Sequence, residues 1–377
     1  MQERSPSLLR LTMAITELDV GGAERAFATI ACGLKDRGWN VDVVSLRDTG
    51  PLSQLLLEAG IDVTPLNSRG FLDLSAIQQL RKHLRTVDCA CLLTFLHEAN
   101  LVGRLAAGLA RVPRVVSGIR VADRRWSVRV PEFLTQRLVS RYIAVSESVA
   151  SVHSSICRIP RSRIDVIPNG VDAQQIRDVA PADRTTFGCL PDDFIFLCAG
   201  RLSDQKAPLD VLSAFQRLLA SLTTSHRRIR LLFVGDGPLR GGIEQQVRTS
   251  GLAETVQVLG WRSDLWSLMK SADCLVLASH WEGLPNVILE SQAAGLPVIA
   301  SAVDGCQELV DDRMTGLLFP PGDTAALETQ MEWAIEHRDD LQTLVNRALE
   351  QVTCTHSWSR CIDEYDRVLR TVVDGTP

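Results

Sequence analysis

Short apolar runs alternate with amphipathic stretches along nearly the whole chain, and this alternation decides the fold class. Leu8–Thr16 reads as a strand. Gly21 and Gly22 break it, and Ala23–Arg37 then sets Ala26, Phe27, Ile30 and Leu34 at helical spacing before Gly38 ends the pattern. Val41–Leu46 reads as the next strand. Strand, helix, strand at this spacing is a βαβ unit, which needs a parallel sheet. Cys89–Phe95, Val115–Ser117, Tyr142–Val145 and Asp165–Ile167 continue the series up to the turn Pro168-Asn169-Gly170. The polar stretch 171–193, with Pro181, Gly188 and Pro191, reads as a connection between domains. A second series follows at Phe194–Ala199, Arg230–Val234, Val256–Leu259, Cys274–Leu277 and Val298–Ala300. The expected class is α/β, with two Rossmann-like parallel-sheet domains facing each other across a cleft at the carboxyl ends of their strands, where ligands of such sheets bind.

Composition supports two packed cores. The chain has 377 residues, 45% of them hydrophobic and 23% charged, which excludes a disordered polymer. A net charge of -5 argues against nucleic acid as the main partner. The charge is uneven: residues 1–185 carry 24 Lys+Arg against 19 Asp+Glu, and the remainder 16 against 26. Two domains that meet different partners are expected. Ten cysteines without a C-x-x-C pair read as buried apolar side chains in a reducing compartment. Leu8–Ile15 is too short for a leader and is interrupted by Arg10. No run approaches the roughly 18 apolar residues of a membrane-spanning helix.

Four segments could carry chemistry. Glu17–Glu24, ELDVGGAE, puts two glycines where a strand hands over to a helix. Backbone N–H groups and a helix dipole there suit a phosphate, although a tight turn alone would also demand glycine. Ala199–Lys206, AGRLSDQK, brings Arg201 and Lys206 close together after a strand, as a fork and a point charge for a diphosphate or as a surface pair. Val234–Gly242, VGDGPLRGG, begins like a dinucleotide loop, but Pro238 interrupts it, and it reads as a strand-end loop. His280–Gly295, HWEGLPNVILESQAAG, is the most informative. Pro285, which has no N–H of its own, suits the first turn of a helix, with the backbone N–H groups in the stretch Leu284–Val287, those of Leu284, Asn286 and Val287, free to meet phosphate. Glu290 then lies about one and a half turns in, where a carboxylate can accept from a ribose diol. Glu282, on the preceding loop, can face a reacting sugar.

Taken in order, GGAERAFATIACGLKDRGWNVDVVSL, VIPNGVD, AGRLSDQK, LLFVGDGPLR, LGWRSD, EGLPNVILESQAAGLPVIAS and DGCQELVDDRMTGLLFPPGD resemble the retaining glycosyltransferases of family 4, which have the GT-B fold. EGLPNVILE looks like that family's E-x7-E motif. The resemblance implies an enzyme of hexosyltransferase type that binds a nucleotide-diphosphate sugar, UDP-linked on family grounds, and retains configuration at the anomeric carbon. It implies that Gly22 approaches the diphosphate, that Arg201 and Lys206 neutralise it, and that Trp261 and Arg262 border the base. It further implies that Glu282 lies near the transferred sugar and Glu290 at the ribose. Catalytic roles fall on Glu282, Arg201 and Lys206. Domain bounds of 1–185 for the acceptor-binding domain and 186–355 for the nucleotide-sugar domain follow, with 356–377 as a helix returning to the first. Many members carry a histidine after the strand that is Val115–Ser117 here; this chain has Arg120 near that place, and His97 is a possible substitute.

No D-x-D pair stands at a suitable strand end, so no cofactor and no metal are expected, with Arg201 and Lys206 supplying the charge stabilisation. Nine arginines lie between Arg104 and Arg141 (104, 111, 114, 120, 124, 125, 129, 137 and 141), opposed by Asp123 and Glu132 and interleaved with Trp126, Val128, Val130, Phe133, Leu134 and Leu138. Such a surface suits an anionic membrane or a lipid-linked diphosphate, unless it is simply a solvated basic face. The expected acceptor is a lipid-linked saccharide of bacterial cell-surface polysaccharide biosynthesis. The expected location is cytoplasmic, peripheral on the inner face of the inner membrane. A transferase with a soluble acceptor, a sugar-nucleotide 2-epimerase and a non-enzymatic sugar-nucleotide sensor are the other readings.

Overall fold

The computed structural model describes residues 9–70, 73–122, 125–221 and 228–375. The chain divides into two units, one of residues 1–169 with 358–377 and the other of residues 170–357.

In the first unit, strands and helices alternate as β1 (Arg10–Ile15), α1 (Gly22–Asp36), β2 (Asn40–Ser45), α2 (Leu52–Glu58), β3 (Asp62–Pro65), α3 (Leu74–Thr86), β4 (Cys91–Phe95), α4 (His97–Ala110), β5 (Arg114–Ile119), α5 (Trp126–Thr135), β6 (Arg141–Ala144), α6 (Glu147–Ile156) and β7 (Ile164–Val166). All seven strands are parallel, in the order β3-β2-β1-β4-β5-β6-β7. The order reverses between β1 and β4, which defines a switch point at their carboxyl ends. β3 was not expected from the sequence: one exposed and three half-buried residues at a sheet edge leave little pattern to read.

The second unit runs α7 (Ala173–Asp178), β8 (Phe194–Ala199), α8 (Pro208–Ser221), β9 (Ile229–Val234), α9 (Arg240–Thr249), β10 (Val256–Gly260), α10 (Leu265–Ser271), β11 (Cys274–Leu277), α11 (Asn286–Ala294), β12 (Val298–Ser301), α12 (Asp304–Gln307), β13 (Leu317–Phe319), α13 (Thr324–Glu336) and α14 (Arg338–Thr355). Its parallel order is β10-β9-β8-β11-β12-β13, with the switch point between β8 and β11. Every residue of β8 and β9 is buried. That is why they read as continuous apolar runs rather than alternating ones: helices cover both faces. β13, three residues at the opposite edge, also went unread.

The bounds differ from the sequence reading at both ends of the second unit, which also takes in residues 356 and 357. Residues 170–185 belong to the second unit, not the first. The stretch read as a connection carries α7 and buries Ile176 and Phe187. Its polar composition reflects one thin buried stripe, not a free linker.

The last helix, α15 (Trp358–Asp374), returns to the first unit. Its Cys361, Ile362, Tyr365, Val368, Leu369 and Val372 enter the core formed by β1, β4 and α1. Polar ties fix its register. Arg37 bonds Asp363 at 2.6 Å, the Trp39 indole N–H donates to Asp366 at 2.6 Å, and Arg114 donates to the Val372 carbonyl at 2.7 Å. α1 admits it because Gly33 has no side chain: a Cβ there would stand 2.3 Å from Ile362 Cδ1. Gly33→Val is therefore expected to destabilise the first unit by about 1–3 kcal/mol through overpacking. Urea unfolding would measure the loss, and an unchanged midpoint would overturn this account of the helix contact.

Candidate active site

The second switch point collects the residues singled out in the sequence. β8 ends at Ala199. Gly200 follows at φ 149°, then the exposed Arg201 and a 3-10 turn, Asp204–Lys206. The neighbouring strand β11 delivers His280 to Asn286. Two hydrogen bonds fasten these loops together: His280 N–H donates to the Gln205 carbonyl at 2.8 Å, and the Gln205 side-chain amide donates to the Trp281 carbonyl at 3.0 Å.

This fastening brings the Lys206 ammonium onto the Glu282 carboxylate. Glu282 is 5% exposed. A carboxylate so buried needs a partner and hydrogen bonds to offset its lost hydration. It has both, because the Ser279 hydroxyl donates to the same Oε1 at 2.6 Å. Ser279 is held in turn from β12, whose Ser301 hydroxyl donates to the Ser279 carbonyl at 2.6 Å. Glu282 is thus a fixed negative group beside a fixed positive one. The Arg201 guanidinium has no protein partner among the described residues.

The glycines after β9 serve close approach. Gly235 and Gly237 have φ of 134° and 159°. Their Cβ atoms would lie 2.0 Å from the Gly200 carbonyl oxygen and 2.4 Å from that of Leu202. Leu202 N–H donates to Asp236 O, and Leu239 N–H donates to Leu202 O, both at 2.9 Å. The loop that reads in sequence as a plain strand end therefore clamps the Arg201 loop from the far side. The Gly237 N–H and the Arg240 guanidinium hold the Asp236 carboxyl below the usual carboxylate range. Together the loops border a hollow of about 730 Å³, whose lining includes Ser203, Asp204, Gln205 and Trp281 as well as Arg201 and Asp236. Sequence reasoning missed this hollow. Its signal was weak: an aromatic beside the first glutamate, and polar residues filling the spacing between Arg201 and Lys206.

The other expected residues stand as follows. Leu284 is buried, Pro285 precedes the first residue of α11, Asn286, and Val287 follows. Glu290 lies one turn into α11, half-buried and already engaged in an interaction with the protein. Gly305 of α12 packs on the Gly283 carbonyl, where a Cβ would come within 2.3 Å. Trp261 is exposed after Gly260, and Arg262 forms a bidentate pair with Asp264 at 2.8 and 2.7 Å.

In the first unit, Gly22 is the first residue of α1, and the Glu24 carboxylate folds back towards Gly21. His97 opens α4 directly after Leu96, whose φ of 71° and ψ of 155° are unusual for a branched residue. Arg120 is not poised for chemistry. It is buried over the Phe95 ring at 5.2 Å, donates to Asn169 and reaches the Tyr365 hydroxyl at 3.5 Å. It joins the turn after β7 to α15.

The arginine-rich segment divides in the same way. Arg104 and Glu132, 1% and 3% exposed, pair at 2.7 Å beneath α5. Arg114 is tied to α15, and Arg141 pairs with Asp165 at 2.9 Å. Arg111, Arg125, Arg129 and Arg137 are exposed, as are Val130, Phe133 and Leu138, with Trp126 76% and Leu134 69% exposed. Asp123 and Arg124 lie outside the described residues. No helix among the described residues is long and apolar enough to cross a membrane.

Two all-parallel Rossmann-like units, one with a cation and a buried carboxylate locked together at its switch point, are the architecture of the GT-B fold. Residues 20–175 match the family described as Glycosyltransferase Family 4, and residues 182–351 the one described as Glycosyl transferases group 1. The chain belongs to glycosyltransferase family 4. Over 266 residues it is 30% identical to the UDP-Gal:alpha-D-GlcNAc-diphosphoundecaprenol alpha-1,3-galactosyltransferase of Escherichia coli, covering 67% of each chain. Over 214 residues it is 30% identical to the D-inositol 3-phosphate glycosyltransferase of Saccharomonospora viridis, covering 53% of this chain and 48% of that one. The fold of Anabaena Alr3699/HepE, crystallised with UDP and glucose, superposes with a TM-score of 0.84 at 21% identity, over 96% of this chain and all of that one.

Proposed function

We propose that the protein moves a hexose from a UDP-sugar to a hydroxyl of a lipid-linked saccharide, with retention, in the assembly of a bacterial surface polysaccharide. One observation carries the donor half: Arg201 and the Lys206–Glu282 pair stand together on the loops after β8 and β11, at the switch point where such sheets bind ligands. In the reaction the bond from the anomeric carbon to the diphosphate breaks, and a bond from that carbon to the acceptor oxygen forms. The acceptor proton passes to the departing phosphate when attack is on the front face. Charge grows on the diphosphate, and Arg201 and Lys206 stabilise it as it develops. Glu282 holds the sugar, Glu290 the ribose, and the start of α11, from Leu284 to Val287, the phosphate. Trp261 and Arg262 border the base, and Gly22 approaches the diphosphate.

The acceptor half rests on α5. Among the described residues from 104 to 141 the only carboxylate, Glu132, is turned inward, so the outward residues described there are arginines, apolar side chains and uncharged polar ones such as Ser127. Such a face suits an anionic lipid surface, which supports a peripheral position on the cytoplasmic face of the inner membrane. The E. coli relative named above acts on a diphosphoundecaprenol acceptor, which favours the same reading. The Saccharomonospora relative, with an inositol phosphate in its name, keeps a soluble acceptor as the second reading.

A thermal-shift panel of UDP, GDP and ADP sugars, followed by assay of the best donor on lipid-linked acceptors, tests the donor reading. Co-sedimentation with anionic liposomes at low salt tests the membrane one, and failure to bind them leaves the soluble acceptor. With two cations in place of a metal, turnover is expected to survive excess EDTA unchanged. Loss of activity restored by Mg2+ or Mn2+ would refute that expectation.

A further inference from the structure

The hollow beside the Lys206–Glu282 pair has a chemistry of its own. Its volume of about 730 Å³ falls within the roughly 300–1,000 Å³ typical of small-molecule sites. One wall is Trp281, 47% exposed. Its exposed indole face, set in a polar recess, is open to a flat apolar partner. Its ring is not loose: it stacks on His280 at 6.4 Å and 28°, and its backbone carbonyl is held by Gln205. Facing it are short polar groups with hydrogen-bonding capacity to spare. The Ser203 hydroxyl and the Asp204 carboxylate have no protein partner among the described residues, and Gln205 spends only its N–H2 on Trp281. A flat aromatic face beside hydroxyl and carboxylate groups matches a pyranose, whose C–H faces are apolar and whose rim is a ring of hydroxyls.

We infer that the hollow between Trp281 and the Ser203–Gln205 turn is a pyranose subsite, in which Trp281 stacks on a sugar ring and Asp204 and Gln205 take its hydroxyls. This deepens the donor reading, on which it rests for the position of the diphosphate at Arg201. The ring can belong to the transferred hexose or to the acceptor saccharide; the recognition chemistry is the same.

The test uses the full chain with Trp281→Ala and Trp281→Phe, both expected to keep the wild-type melting temperature because the side chain is largely outside the core. Saturation-transfer NMR with methyl α-D-galactoside and methyl α-D-glucoside reads the subsite directly. Transfer is expected in the wild type, lost in Trp281→Ala and kept in Trp281→Phe. Calorimetry with UDP and with UDP-glucose or UDP-galactose assigns the source. If the donor hexose occupies the site, Trp281→Ala binds UDP as the wild type does, but binds the UDP-sugar about tenfold more weakly. If the acceptor occupies it, both donor affinities hold and the acceptor KM rises by a similar factor. Transfer that persists in Trp281→Ala, or UDP and UDP-sugar weakened in equal proportion, overturns the subsite. Failure of the wild type to bind any nucleoside diphosphate would instead overturn the donor reading, while the glycoside spectra would still judge the subsite.

Discussion

Arg201→Ala is expected to lower kcat/KM by about two to three orders of magnitude, the scale on which removal of one preorganised charge-stabilising donor is felt. It should do so with almost no change in melting temperature. The side chain is exposed and has no partner among the described residues, so its loss strands none of those groups and leaves no cavity. Lys206→Ala makes the informative contrast. It removes the partner of a carboxylate that is 5% exposed, leaving Ser279 as its remaining hydrogen-bond donor. Stranding a buried charge costs about 3 kcal/mol or more, reduced somewhat here because Lys206 keeps part of its side chain in solvent. Lys206→Ala should therefore lose stability as well as turnover. Steady-state kinetics together with a melting curve on each variant separates the two. Wild-type turnover in Arg201→Ala would sink its assignment to the diphosphate.

The second large effect lies far from that chemistry. Glu132→Ala is expected to destabilise the first unit by about 3–5 kcal/mol, because it leaves Arg104 charged and 1% exposed with its ion-pair partner gone. The hydroxyls of Ser117 and Thr135, which accept from Arg104 at 3.0 Å each, do not replace a carboxylate. The double variant Arg104→Met/Glu132→Leu is expected to return close to wild-type stability, since a buried pair can be exchanged for packed apolar side chains at little net cost. Chemical denaturation of the two variants checks this. A single variant as stable as wild type would mean that water reaches the pair. The same pair orients α5: with Glu132 facing inward, Trp126, Val130, Phe133 and Leu134 are left outside.

Legibility in the sequence followed physical context. Strands buried on both faces were plain, because burial on both sides demands an unbroken apolar run, as in FIFLCA of β8. β3 and β13 were not, because such short edge strands leave no comparable run; β7, an edge strand equally short, was legible through the turn Pro168-Asn169-Gly170 that follows it. Arg201, Lys206 and Glu282 were legible as a group through their order along the chain. Their joining was not, because it depends on a hydrogen bond between Gln205 and Trp281, which are 76 residues apart in sequence. The arginines from 104 to 141 look alike on paper. Only packing separates Arg104, Arg114, Arg120 and Arg141, which serve the unit's interior ties, from those at the surface. Arg120 shows the limit best: its position invites a catalytic role, whereas its neighbours Phe95, Asn169 and Tyr365 make it a structural clasp.

The return of α15 to the first unit has a consequence for biosynthesis. A ribosome finishes all seven strands of that unit by Val166, yet six residues of its core, from Cys361 to Val372, are still untranslated. The second unit, uninterrupted from Gly170 to Ser357, is complete before them. Domains fold as units once their sequence is available. The unit that emerges first is therefore the last to close, and it waits through the synthesis of its neighbour with the flank of α1 around Gly33 uncovered. Chains stalled short of residue 358 should bind hydrophobic-surface chaperones through the early half, and release should follow the emergence of α15.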